Sequence, residues 1–319
     1  MGKECHPIFV NESGRHWLTA LNAYRHLEAT HKGTARVWTN SDRLFAWFLR
    51  HLPFVREDFA QVRADDYPVR LWTVAVFLFG ALPVMRRRGV GRISIGDEFD
   101  TSRRAFHQGI AHYEGLYDQS RYFDVALTGY FGKKGWGVTQ FSLVRWLSEL
   151  LVQKTLAERY PDLLRHQVSC HATHLEKDRV LPCGRCEKCR RIVSMLTVLG
   201  RDPASCGYTA PQVAACLKRV AEAGIHQEDA GAQQIAYMLN KLGLLYARRD
   251  GLPPPKHRPE ILKLRFDPDK SPLNSVPHDL QDPALRIFLS HAEGAVERHD
   301  RRWIDFDPLN QRTREDNDD

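Results

Sequence analysis

The sequence has no uninterrupted apolar stretch of membrane-spanning length. Its longest apolar run, VRLWTVAVFLFGALPVM (69–85), carries Arg70 and Pro83 and ends in Arg86, Arg87 and Arg88, so it predicts a buried helix and no membrane partner. No apolar leader segment is present, which points to a cytoplasmic protein in which disulfides are not expected. Acid falls short of base: 39 Asp and Glu face 46 Lys and Arg, for a formal net charge of +7. The basic residues are scattered rather than massed in one stripe, which permits a nucleic-acid partner without requiring one. At 319 residues and 43% hydrophobic, the chain can bury one large core or two smaller ones. Cysteine is scarce, at seven, yet four of the seven fall within SCHATHLEKDRVLPCGRCEKCRR (169–191).

Those four are Cys170, Cys183, Cys186 and Cys189, spaced C-x12-C-x2-C-x2-C. Each C-x2-C step lets a tight turn aim two thiolates at one ion, and Gly184 supplies backbone freedom. The bacterial iron–sulfur run needs a further cysteine where Val193 stands. A catalytic thiol accounts less well for clustered cysteines beside Arg185, Lys188, Arg190 and Arg191 than a metal that holds them as thiolates. The pattern predicts structural Zn2+ on the four cysteines, with His171 or His174 as the alternative to Cys170 for the fourth ligand. Cys206 and Cys216 have no partner spacing and read as buried free thiols.

Upstream, HPIFV (6–10) is a short β-rich run, NESG a polar turn, and 17–27 has helical spacing. ARVWT (35–39) predicts a second strand, followed by Asn40, Ser41 and Asp42 as capping residues for a helix over 43–52. An apolar helix over 67–88, ended by Gly89 and Gly91, leads to the strand RISI (92–95). This alternation predicts an α/β fold, a parallel sheet with helices on both faces. Right-handed crossovers put the strand C-terminal ends on one edge, where ligands bind.

That edge would carry the loops NESGRH, TNSDR and GDEFDTSRR. In the last, Gly96 ends a strand, and Asp97, Glu98 and Asp100 follow as carboxylates able to hold Mg2+ or to accept hydrogen bonds from a purine-like substrate. The plainer alternative is an acidic loop in which Asp100 caps the next helix. FGKKGWG (131–137) reads as a loop between elements. Further helices are expected over 140–160, stopped by Pro161, over 192–199, within 206–224, over 231–245 and over 285–295. LPPPKHRP reads as a linker or strap and the end REDNDD as disordered. The organisation expected is an α/β domain over 1–165, a zinc-binding lobe over 166–200, a helical region over 201–250, and a Pro-rich extension with a polar tail over 251–319.

The order of these features resembles the 7-cyano-7-deazaguanine synthase family of the PP-loop superfamily. That family's zinc segment is matched by Ser169, Cys170, Cys183, Gly184, Cys186, Cys189 and the basic Arg190 or Arg191. Its substrate loop, a glycine after a strand with an Asp a few residues on, is similar to Gly96 and Asp100. Its Y-P-D-C-R run is similar in spacing to Tyr117, Asp118, Gln119, Ser120 and Arg121, with Phe123 beyond. The family's S-G-G-x-D-S phosphate loop occurs nowhere in the sequence, so HPIFV looks like the family's second strand and the expected PP-loop-like sheet lacks its first. NESG has one glycine and cannot present successive amides to a triphosphate.

The resemblance implies an ATP-dependent C–N ligase that adenylates a carboxylate and then transfers ammonia, as in queuosine biosynthesis. Its cofactors would be structural Zn2+, ATP and Mg2+, and its substrate a deazapurine-like or other small carboxylate. Asp97, Glu98 and Asp100 would hold substrate or Mg2+, while Gly96, Tyr117 and Arg121 would bind and orient the acid. A missing segment or a partner protein would supply the ATP loop. The alternative is a zinc-stabilised binding subunit without nucleotide chemistry, contacting a partner protein or nucleic acid.

Overall fold

The computed structural model describes residues 4–11, 16–62, 73–113, 117–245 and 254–310. Most of NESGRH, residues 67–72 of the expected third helix, and the REDNDD end lie outside the described residues. Strand β1 (Ile8–Asn11) runs parallel to β2 (Ala35–Trp38), with α1 (His16–Thr30) between them in sequence. The branched and aromatic residues of IFVN and ARVW suit a pleated, half-buried surface. Leu18 and Leu21 of α1 pack against the core built around the cysteine segment. Helix α2 (Ser41–His51) starts without a side-chain cap from Asn40; instead Thr39 Oγ1 accepts the Ser41 N–H at 3.1 Å.

Helix α3 (Thr73–Arg87) keeps Pro83 in its interior, and Gly89, at φ +66°, follows it before β3 (Arg92–Ile95). An antiparallel hairpin of β4 (Ala105–His107) and β5 (Ile110–His112) comes next. Helix α4 (Arg121–Lys133) is capped by Ser120, whose side chain accepts the Phe123 N–H. It ends within FGKKGWG, where Gly135 and Gly137 at positive φ carry the chain into β6 (Thr139–Ser142), the parallel partner of β3.

The single helix expected over 140–160 is therefore two elements. Gln140, Phe141 and Ser142 belong to β6, the chain turns over 143–148, and α5 (Glu149–Arg159) begins at a Ser148 cap. Phe141, Leu147, Leu150 and Leu151 are all buried, so a strand, a turn and a helix together reproduce the apolar spacing of one helix face. Then come α6 (Pro161–Leu164), the antiparallel hairpin of β7 (His174–Glu176) and β8 (Arg179–Leu181), α7 (Glu187–Val198), α8 (Ala210–Ala223) and α9 (Asp229–Lys241).

Beyond the LPPPKHRP stretch, the extension contributes more than the one helix expected there. Strands β9 (Leu264–Phe266), β10 (Ala295–His299) and β11 (Arg302–Asp305) form a sheet of order β11-β10-β9, with α10 (His278–Leu289) between β9 and β10 in sequence. The helix expected over 285–295 lies earlier than predicted, and Ala295 opens a strand parallel to β9. Pro283 inside α10 interrupts the sequence signal for its first turns. Phe266, Leu280 and Leu285 share a core with Phe141, Trp146 and Leu147, so this segment closes over the turn after β6.

The architecture is α/β with small parallel sheets. Among the described residues, β1-β2 and β3-β6 are separate ladders rather than the continuous sheet expected. Apolar packing joins them: Ile8 of β1 and Ile93 of β3 sit in one cluster with Leu78, Leu82 and Met85 of α3. No helix among the described residues is long and apolar enough to cross a membrane.

Candidate metal centre

The cysteine segment is organised by a hairpin and a helix start. Strands β7 and β8 separate Cys170 from the other three cysteines and fold the chain back, so the twelve-residue gap closes. Cys186 is the N-cap of α7, and its Sγ accepts the Cys189 N–H at 3.5 Å. The N–H groups of Ala172 and Cys183 point at Cys170 Sγ, at 3.3 and 3.2 Å. Backbone donors and a helix N-terminus both favour thiolate.

All four Sγ atoms lie within 4.8 Å of one another. Cys183–Cys189 and Cys170–Cys186 are each 3.8 Å apart, and Cys186–Cys189 is 3.4 Å. A tetrahedron with metal–sulfur bonds of about 2.3 Å has edges of about 3.8 Å, so the set could hold one ion such as Zn2+. A polynuclear iron–sulfur cluster distributes its cysteines over different irons and needs them farther apart. All seven cysteines are free thiols. His171 and His174 are exposed and outside the group, and His171 Nε2 lies 3.4 Å from Glu187 instead. The fourth sulfur is thus Cys170.

The surroundings leave little slack. Gly184 has φ +68°, and a Cβ there would fall 2.4 Å from Gln212 Cγ. Gln212 belongs to a capping box with Thr209 at the start of α8, and its Nε2 lies 3.5 Å from the Cys183 carbonyl. Cys216 Sγ contacts the Gly184 carbonyl at 3.3 Å, and burial pushes this thiol up to about 11, in keeping with an unreactive core cysteine. Cys206 is likewise buried, and its thiol is raised by desolvation. The hairpin is docked on α1 through Asn22, whose Nδ2 donates to the Val180 carbonyl at 2.8 Å and whose Oδ1 accepts the Val180 N–H at 3.0 Å.

The carboxylate loop lies where β3 and β6 end, and its neighbours came unannounced. Arg145, fully buried in the turn after β6, places Nη2 2.8 Å from Asp124 Oδ2 and 3.8 Å from Asp97 Oδ2. Its Nη1 donates to the Glu98 carbonyl, Thr101 Oγ1 and the Gln119 carbonyl at 3.2, 2.9 and 3.0 Å. Asp100 is held by Arg265 Nη2 at 2.7 Å and faces the N–H of Glu149, the first residue of α5, at 3.5 Å. It therefore meets the start of α5 rather than capping the next element, which is the β4–β5 hairpin.

Burial pushes the Asp97 carboxyl up to about 8 against the opposing pull of Arg145. Burial, then the nearby Asp100 and Glu149 carboxylates, raises Glu98 to about 7. The loop also meets the Tyr117–Arg121 stretch: Thr101 Oγ1 donates to the Gln119 carbonyl at 2.8 Å, and Ser102 Oγ accepts the Arg121 N–H at 3.0 Å. Tyr117 is half-exposed and packs on Phe123, and Arg121 Nη1 donates to the Asp269 carbonyl at 3.1 Å. Gly96 is exposed. Asp97, Glu98 and Asp100 do not converge on a common point; among the described residues, the four cysteines are the one tight group of potential metal ligands.

No family model, no curated protein and no solved structure matches this chain.

Of the residues that build this region, sequence reasoning missed Arg145, Asp124, Glu149 and Arg265. Arg145 had a signal: it is the single charge within FSLVRWLS, a stretch otherwise apolar or hydroxylic. Arg265 had none, since it lies 165 residues from Asp100.

Proposed function

We propose that Cys170, Cys183, Cys186 and Cys189 hold one structural Zn2+, and that the lobe so fixed supports a small-molecule site at the loops after β3 and β6. The observation that carries the reading is the single-ion spacing of the four sulfurs. When bound, the metal would offset two of the four thiolate charges and tie Cys170 to the start of α7. On this reading the protein is of 7-cyano-7-deazaguanine synthase type, with a PP-loop-like sheet and a deazapurine-like or other carboxylate substrate. Its activity is ATP-dependent adenylation followed by ammonia transfer, with Mg2+ accompanying ATP. Support comes from the meeting of the 96–104 loop with the Tyr117–Arg121 stretch over Arg145, at the strand ends where α/β proteins bind ligands.

A second reading is a zinc-stabilised binding subunit that contacts a partner protein or nucleic acid. It is favoured by the pairing of Asp97 and Asp124 with Arg145, and of Asp100 with Arg265. Carboxylates held by guanidinium groups, and an Asp97 carboxyl pushed by burial toward its protonated form, are poor Mg2+ ligands. Incubation of the chain with ATP, Mg2+, ammonia and a deazaguanine carboxylic acid separates the two. Nitrile formation with ATP consumption supports the ligase. Saturable binding of the acid without turnover keeps the small-molecule site and removes the ligase activity. Neither binding nor turnover leaves the binding-subunit reading.

A further inference from the structure

A cavity of about 400 Å³ opens between α1 and the β7–β8 hairpin, lined chiefly by Arg25, His26, Arg165, His166, Asp178 and Arg179. Its size is within the range of small-molecule pockets, roughly 300–1,000 Å³. Three guanidinium groups and two imidazoles here share one carboxylate. Backbone contacts hold two of the guanidiniums in place while leaving donors to spare. Arg25 Nη1 donates to the Asp178 carbonyl, and Arg179 Nη2 donates to the carbonyls of Arg165 and Ser205 at 3.0 and 3.1 Å. A guanidinium carries five N–H donors, so each keeps several for a ligand. Among the described residues, the Arg165 guanidinium has no hydrogen-bond or ion-pair partner.

The imidazoles add to the imbalance. His26 and His166 stack with centroids 4.3 Å apart and planes 22° apart. His166 Nε2 is buried with no hydrogen-bond partner. Burial, then His26, Arg165 and Arg179, holds the His166 imidazole below its ordinary range, as expected where positive groups outnumber negative ones. A tetrahedral oxyanion bearing two negative charges would satisfy the free arginine forks and relieve that repulsion.

We propose that this cleft is a binding site for the phosphate group of a small phosphorylated molecule. It uses none of the four cysteines and none of the 96–104 loop, so it stands apart from the reading given above. Calorimetric titration of the metal-replete full chain with inorganic phosphate, and separately with a nucleoside monophosphate, tests it. Saturable binding of both probes is expected; tighter binding of the nucleotide would mean that the attached moiety also contacts the cleft. Arg165→Ala should weaken binding about tenfold or more, the effect of losing a charge-assisted contact. Asp178→Asn, which removes the one carboxylate among the lining side chains, should strengthen binding several-fold. Both variants should retain wild-type metal content, which separates a lost site from a lost fold. The proposal is overturned if neither probe binds at millimolar concentration, if Arg165→Ala binds like the wild type, or if a short RNA binds where both small probes fail.

Discussion

Arg191 and Glu149 form an ion pair, with Nε and Oε1 3.1 Å apart. Arg191 stands two residues beyond Cys189 on α7, and Glu149 opens α5, where its N–H faces Asp100. Asp100 is in turn paired with Arg265 on β9. The cysteine segment is thus linked through the start of α5 to the loop after β3, and from there to the C-terminal sheet. Order in the metal lobe should be transmitted to the carboxylate loop along this path.

The Asp100–Arg265 pair is almost wholly buried. Arg265→Met strands the carboxylate without a counter-ion, and stability should fall by about 3–5 kcal/mol. Adding Asp100→Leu should recover most of that loss, because replacing both charges removes the desolvation cost along with the attraction. Urea unfolding of the two variants measures this. A double variant as unstable as the single one would show that the pair is not the source of the effect.

Asp97 and Glu98 bear on pH dependence. Their folded values, about 8 and about 7, lie above the ordinary 3.8 and 4.5, so the native state binds more protons than the unfolded chain between those limits. Their contribution to stability is full at acid pH and is lost as pH rises through the folded values. With metal kept saturating, the free energy of unfolding should be smaller, and the protein less stable, near pH 8 than near pH 5 on their account. Asp97→Asn should flatten the slope by up to about 1.4 kcal/mol per pH unit. Equal slopes in wild type and variant would contradict the burial assigned to Asp97.

Asn22 satisfies both backbone groups of Val180. Asn22→Ala leaves an N–H and a carbonyl unpaired in a buried interface, at about 1–3 kcal/mol for each group. Metal removal by a competing chelator should be faster in this variant, since α1 no longer anchors the hairpin. Wild-type release kinetics would mean that the metal lobe holds its shape independently of α1.

How much of this was legible in the sequence follows from how local each feature is. The cysteine set was legible because C-x2-C steps encode their own geometry, and Cys170 needed only a short hairpin to reach them. Strand–helix alternation up to Ile95 was legible because each element has its own periodicity and turn residues. The segment after Ser142 was not, since buried Arg145 and Trp146 sit in a turn whose neighbours mimic a helix face. The partners of the carboxylate loop were hidden for a different reason: Asp100 meets Arg265 only through tertiary folding, and no local pattern encodes such a pair. The prolines after 251 masked α10 and the sheet that encloses Trp146.

X-ray absorption at the zinc edge of the protein as purified tests the central claim most directly. The account predicts one zinc per chain with a first shell of four sulfurs at about 2.3 Å. Iron with sulfide, a nitrogen ligand in the first shell, or absence of metal from folded protein would contradict it.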